Sequence, residues 1–301
     1  MAGAEPLLRR ALAEAERSGR PRAIARASQS LYYLLRRQGR HAESVAALER
    51  KVDALRRLEG VDGSWTAEWR NELIGLYGSL GWYGRLEPVC RERLESDVRR
   101  YGARSTEASW ALLTLAWAFR ESGRPEESEA LARQALALIE VIAGRDHPRT
   151  GWALVGLAVV RARQGGLVEA EAALRRARAN WLAAGHTDRA VAVEELLIGL
   201  YVDQQRHEEA LALSCAWFGG RPSTTDERQL PRVERHAALL RAVGRGDEAA
   251  TWEARACELR AAIERRRHEC ERLAADAPET PGATSCVASR LTGPVFPSPL
   301  L

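Results

Sequence analysis

The sequence predicts an all-α chain: a right-handed superhelical solenoid of about six antiparallel helix pairs, ending in a capping helix. Three observations predict it. Gly39, Gly81, Gly123 and Gly165 stand 42 residues apart, and the frame continues two to three residues short through Gln205 and Gly244. A fixed period of this size marks a stack of helical hairpins. Before these positions apolar residues recur at three and four, as an amphipathic helix requires. Just after them come small residues, Ser44, Ser128, Ala170, Ala210 and Ala249, which let two antiparallel helices approach closely.

The elements follow in order. Pro6 to Arg17 reads as a leading helix, and six pairs occupy roughly residues 21 to 275. The third pair is the clearest. Ser105 to Glu121 forms its first helix, Gly123 ends it where a left-handed residue is cheap, and Pro125 opens the second, where a missing N–H does no harm. The fourth pair returns Ala111, Leu112, Leu115 and Ala116 as Ala153, Leu154, Leu157 and Ala158. A large apolar residue followed by an aromatic one marks the first helices, at Leu73-Ile74 with Tyr77, Leu115-Ala116 with Phe119, and Leu197-Ile198 with Tyr201. The second pair departs from the pattern with Leu86 at the small position and Pro88 in the first turn of its second helix. The fourth has Arg161 at the aromatic position and the sixth has His236 at the large apolar one. In the last helix, Trp252, Ala256, Leu259, Ile263, Cys270 and Leu273 form one stripe, interrupted by Arg266. That stripe suits a polar-faced cap, and its spacing also suits a homodimer through a coiled coil. Residues 1–275 thus form the solenoid. Residues 276–301, with five prolines and no apolar period, read as a disordered tail.

At these residues the chain resembles the tetratricopeptide repeat family, most closely the 42-residue kinesin-light-chain type. The connector from Gly144 to Thr150, ahead of Ala153-Leu154 and Leu157-Ala158, is similar to the inter-repeat linker of that subtype. The resemblance implies that the first helix of each pair lines a concave groove, and register then names the groove residues. The first pair supplies Arg26, Gln29, Tyr33, Arg36 and Arg37, and the second supplies Glu68, Asn71, Gly75, Gly78 and Ser79. The third supplies Trp110, Leu113, Trp117, Arg120 and Glu121, the fourth Trp152, Val155, Val159, Ala162 and Arg163, and the fifth Ala192, Glu195, Gly199, Val202 and Asp203. Asn71 stands where the family often clamps a ligand's peptide backbone.

Trp110, Trp117 and Trp152 read as an apolar anchor pocket, since Trp and Arg dominate binding energies. The other reading packs them between helices as core. Arg26, Arg36, Arg37, Arg120 and Arg163 offer planar forks for carboxylates, or they pair with Glu68, Glu121 and Glu195 across adjacent helices. Gly75 and Gly78 weaken their helix, so either a ligand backbone approaches there or the pair is a hinge.

Composition bounds the rest. The chain is 46% apolar and 29% charged, as soluble globular proteins are. Lys51 is the only lysine among 45 basic residues, which reads as codon bias of a GC-rich, bacterial genome. A net charge of +4 with no single-signed segment gives no reason to expect nucleic acid. Five irregularly spaced cysteines without a CxxC predict reduced thiols in a cytoplasm. The longest uncharged run, Ala108 to Phe119, is too short to cross a membrane. No phosphate-cradling glycine loop or HExxH occurs, and His268 and Cys270 diverge on a helix, so neither cofactor nor metal is expected. The expectation is a non-enzymatic scaffold whose groove takes a protein or peptide, for example one with acidic residues flanking an apolar anchor. The alternative is a ligand-responsive sensor or regulator acting through a partner protein.

Overall fold

The structure is a computed structural model that describes residues 4–218 and 229–276. Thirteen α-helices and no strand occur among the described residues. A leading helix, α1 (Ala4–Arg17), precedes α2 (Pro21–Arg37), α3 (His41–Glu59), α4 (Ser64–Ser79), α5 (Tyr83–Tyr101), α6 (Thr106–Glu121) and α7 (Pro125–Ala143). Then come α8 (Thr150–Arg163), α9 (Leu167–Ala183), α10 (Thr187–Asp203), α11 (His207–Ala216), α12 (Leu230–Ala242) and α13 (Gly246–Asp276). From α2 onward these form six pairs, and the long α13 is both the last second helix and the expected cap. The helices divide into two compact blocks, one ending at Ile142 and one beginning at Ala143. The expected tail lies outside the described residues, apart from Asp276, which ends α13.

Each pair turns on one backbone conformation. Gly39, Gly81, Gly123, Gly165 and Gly244 have positive φ, and Gln205, in the same frame, takes φ 59° as the only described non-glycine residue to do so. The amide of the next residue donates back to the carbonyl five residues earlier: Arg40 to Leu35 at 3.0 Å, Arg124 to Phe119 at 2.9 Å and Arg206 to Tyr201 at 2.8 Å. This is the Schellman closure, which satisfies carbonyls the helix end would orphan. A second positive-φ series, Gly60, Gly102, Gly144 and Gly185, lies outside every helix, between the second helix of one pair and the first of the next. Sequence reasoning passed over it, although its spacing of 42, 42 and 41 residues was there to see.

The residue after the first turn does a second task. Arg40, Arg124 and Arg206 each hold a glutamate three residues on (Glu43, Glu127, Glu209) and one in the helix that precedes the pair. Those earlier partners are Glu5 at 2.7 Å, Glu87 at 2.9 Å and Glu171 at 2.6 Å. The Arg124 and Arg206 guanidiniums also lie 4.2 Å and 4.4 Å from the ring centroids of Phe119 and Tyr201. Where Trp82 replaces the arginine, Arg85 lies over that indole and reaches Glu49 at 3.0 Å.

Small residues at the helix crossing are buried as expected, from Ser44 and Ser128 to Ala170, Ala210 and Ala249. Leu86, the departure in the second pair, is wholly buried too. Pro88 was expected in the first turn of α5. The helix begins at Tyr83, so the proline sits inside it and removes one ladder bond. A polar cluster is buried within the second pair and where it meets the third, beside the apolar core. Buried Arg70 donates to the Val61 carbonyl at 3.2 Å and lies 3.4 Å from Glu92. Arg93 pairs with Asp97 at 3.4 Å and donates to Thr114. Burial pushes the Asp97 carboxyl up against the pull of Arg93.

Gln205 is the turn residue whose side chain makes the left-handed conformation costly. Gln205→Gly is therefore expected to raise unfolding stability by about 1 kcal/mol, and Gly123→Ala to lower it by a similar amount. Chemical denaturation read by circular dichroism checks both.

Candidate functional site

In the N-terminal block the first helices α2, α4 and α6 touch side by side, and the contacts identify their shared face. The Tyr33 ring stands 6.1 Å from that of Trp69, edge to face, and Tyr32 stands 6.2 Å from the same indole. Arg36 donates to the Tyr32 hydroxyl at 2.7 Å and to Glu72 at 2.6 Å, while the Tyr32 hydroxyl donates to Glu72. Burial and the Glu72 carboxylate push the Tyr32 phenol well above its ordinary range. From α6, the Trp117 indole lies directly on Gly78 of α4, where an added Cβ would come within 1.9 Å of the ring.

Lys51 lies beneath this face. It rises from α3, is only 5% exposed, donates to Gln29 Oε1 at 2.6 Å, and places its ammonium 3.4 Å from the Trp69 ring centroid. Gln29 and Glu68, both expected in the groove, are its polar surroundings. Burial lowers the amine to about 8, against the opposing charge of Glu68. The sequence marked this residue only by its uniqueness.

The expected groove residues fall as follows. Tyr33 is 48% exposed, and Arg26, Arg36 and Arg37 are exposed on the same helix. Arg36 is paired, with Glu72 rather than Glu68. Asn71 is half-buried, and its Oδ1 has no hydrogen-bond partner among the described residues. Trp110, Leu113, Trp117 and Arg120 are half-buried on α6, and Arg120 pairs with Glu121 at 2.8 Å.

Trp152, Val159 and Arg163 belong to the C-terminal block. Trp152 is half-buried, meets the buried Trp181 edge to face at 5.2 Å and lies under the Arg189 guanidinium at 5.3 Å. Val159 is half-buried and Arg163 exposed. Glu195 pairs with Arg232 at 2.6 Å, as an across-helix ion pair should.

Glycines separate packing from openness. Gly78 and Gly151 are required by Trp117 and Trp181, whose rings occupy the space of a Cβ. Gly75 and Gly199 share one groove register, and a Cβ on either would meet nothing within 4 Å. Neither the close-approach nor the hinge reading was needed for Gly78, because an indole of the next first helix fills its place.

Chemistry elsewhere is sealed. Ser214 Oγ lies 2.8 Å from His236 Nδ1, and both residues are buried beside Phe218 and Trp252. The same hydroxyl donates to the Leu211 carbonyl, so toward His236 it acts as acceptor. Burial holds His236 below its usual value. No group of three metal-ligating side chains occurs among the described residues, and no helix there is long and apolar enough to cross a membrane.

These features define an all-α protein built from successive antiparallel helix pairs. Residues 123–183 match the tetratricopeptide repeat family. Among solved structures the chain is similar to BtubC (BKLC) from P. vanneervenii, with TM-score 0.60 and 20% identity over 74% of this chain and 92% of that one. It is also similar to the nearly identical TPR-like repeats of a putative kinesin light chain from Podosopora anserina, with TM-score 0.57 and 18% identity over 65% and 95% of the two chains. RapI in its apo form aligns with TM-score 0.51 and 15% identity over 80% and 84%. At these identities the likeness is one of fold. No curated protein matches the sequence.

Two outcomes are expected. Gly75→Ala should stabilise the protein by about 0.5–1 kcal/mol, whereas Gly78→Ala should destabilise it by about 1–3 kcal/mol through its clash with Trp117; paired denaturation curves check this. In a chain labelled at lysine Cε, the single side-chain resonance should titrate with a midpoint near 8 rather than the ordinary 10.5. Folding disfavours the charged form of Lys51, so stability should rise with pH between those two values.

Proposed function

We propose that this protein is a non-enzymatic scaffold that binds a protein or peptide along the faces of its first helices. The observation that carries this reading is the α2–α4–α6 face. It keeps Tyr33, Trp110, Leu113 and Trp117 partly open beside exposed Arg26. It also holds a glycine, Gly75, that no turn and no neighbouring side chain demands. Half-open aromatic residues with a polar rim are what a binding patch needs, because they bury apolar area without first unfolding anything. Tetratricopeptide-type repeats serve typically as protein-binding modules, which supports the same conclusion.

The ligand is an extended segment with an apolar anchor and flanking acidic residues. Arg36 and Arg120 already have carboxylate partners, so Arg26 is the position in the N-terminal block offered to such an acid. It has no ion pair among the described residues.

Selection of peptides from a random display library on the full chain tests the proposal. The expected winners carry an aromatic or branched apolar residue next to Asp or Glu. Their affinity should fall at least tenfold in a Tyr33→Ala/Arg26→Ala variant that melts like the wild type. It should be unchanged in an Arg57→Ala/Arg133→Ala control. Peptides that bind both variants equally would move the interface off this face.

A further inference from the structure

We propose that the connector edge of the N-terminal block is a self-association surface, through which two copies of this chain pair about a two-fold axis. This edge is the end of the hairpins away from the Schellman turns, where α3 hands over to α4 and the end of α5 lies alongside. The inference does not depend on the scaffold reading.

Four large apolar residues stand in water there. Trp65 is 59% exposed, Tyr101 48%, Leu58 42% and Val61 39%. Named contacts bring them together. Glu59 accepts from the Thr66 amide at 2.6 Å and from its hydroxyl at 3.1 Å, which holds the end of α3, with Leu58, against the start of α4, with Trp65. Buried Arg70 donates to the Val61 carbonyl. Arg99 donates through two nitrogens to Asp62, at 2.9 and 3.0 Å, and so brings Tyr101, two residues on, to the same edge. A connector fastened on both sides is ordered before any partner arrives, which lowers the cost of pairing.

The repeat supplies an internal control. One period later, Leu58, Val61 and Trp65 are replaced by Arg100, Ala103 and Glu107. The two connectors share the same turn, since Gly60 and Gly102 both take positive φ. The turn itself therefore has no need of the apolar side chains. A cluster of exposed apolar residues that the fold does not require marks a surface for another molecule.

Charge and area select a second copy. Arg99 is paired with Asp62, Arg56 with Asp53 and Arg70 with Glu92. Of the remaining charged side chains, Arg57, Arg100 and Arg104 are matched in number by Glu59, Glu95 and Glu107. An anionic surface gains little from a rim whose charges cancel. A two-fold copy gains twice, because an arginine of one edge can meet a glutamate of the other at both ends of the interface. The four side chains leave about 350 Å² of apolar surface open. Interfaces are roughly 60% apolar, so the edge corresponds to about 600 Å² per partner, the lower end of what specific dimers bury.

Sedimentation equilibrium of the full chain, from low to high micromolar concentration, tests the proposal. The wild type should dimerise reversibly with a micromolar dissociation constant. A Trp65→Glu/Tyr101→Glu variant should dimerise at least tenfold more weakly and melt like the wild type, since both side chains are exposed. Two rim variants add a readout that loss of structure cannot imitate. Arg100→Glu/Arg104→Glu and Glu95→Arg/Glu107→Arg should each dimerise more weakly alone, and an equimolar mixture of the two should form a heterodimer. A wild-type chain that stays monomeric would overturn the inference. So would a dimer indifferent to Trp65→Glu/Tyr101→Glu, which would move the contact to another surface such as α13, or a mixture of rim variants that stays monomeric.

Discussion

The left-handed turn at the end of each first helix is the constraint on which the rest of this structure depends. It reverses the chain within a few residues and closes with an amide-to-carbonyl bond five residues back. It also presents the next residue at a fixed angle. In four of the pairs that residue is an arginine; the guanidiniums of Arg40, Arg124, Arg206 and Arg245 each meet a glutamate in the first turn of the following helix, and the first three also meet a glutamate of the helix that precedes the pair. One backbone conformation thus sets both the hairpin and its attachment to its neighbour. The richness in arginine acquires a structural meaning here, since a planar fork can serve two carboxylates while lying on an aromatic ring and a lysine cannot.

The face that follows from this stacking is partly filled by the protein itself. Trp117 lies on Gly78, Tyr33 leans on Trp69, and the Lys51 ammonium is covered by the same indole. Two of these contacts join consecutive first helices and the third ties α3 to α4, through aromatic rings set against glycine, another ring or a cation. They leave a surface with half-open aromatic residues that is open at Gly75. The rings hold the face in shape before any ligand arrives, which lowers the ordering cost of binding. The same rings explain why a groove tryptophan need not be wholly ligand-facing or wholly core: Trp117 and Trp152 each pack one side against the fold and remain half-open.

The buried polar seam of Arg70, Glu92, Arg93 and Asp97 is a different kind of junction. Its members satisfy one another at 3.4 Å, and the Arg70 Nε still lacks a partner among the described residues. Such a seam adds specificity of register more readily than stability, because each charge gives up its hydration to enter the core. It lies where the second pair departs most from the repeat pattern, at Leu86 and Pro88.

Most of the fold was legible in the sequence. Turn conformation depends on the residues in the turn, so Gly39, Gly81, Gly123 and Gly165 announced it. The continuation at Gln205 was readable even though its side chain resists the conformation. Helix faces were legible for a similar reason, since 3.6-residue periodicity is a property of one segment. The expectation that Tyr33, Trp110 and Leu113 line a groove came from the resemblance; the structure leaves Tyr33 exposed and Trp110 and Leu113 half-buried. Tertiary structure alone decided the partners. Lys51 meets Gln29 and Trp69, Arg36 finds Glu72 rather than Glu68, and Trp117 takes the space above Gly78. Each of these pairs joins residues about 18 to 39 positions apart on different helices, and which atoms meet depends on how one hairpin slides and tilts against the next. A residue's own segment sets its direction, but the packing of a second segment sets what it finds there.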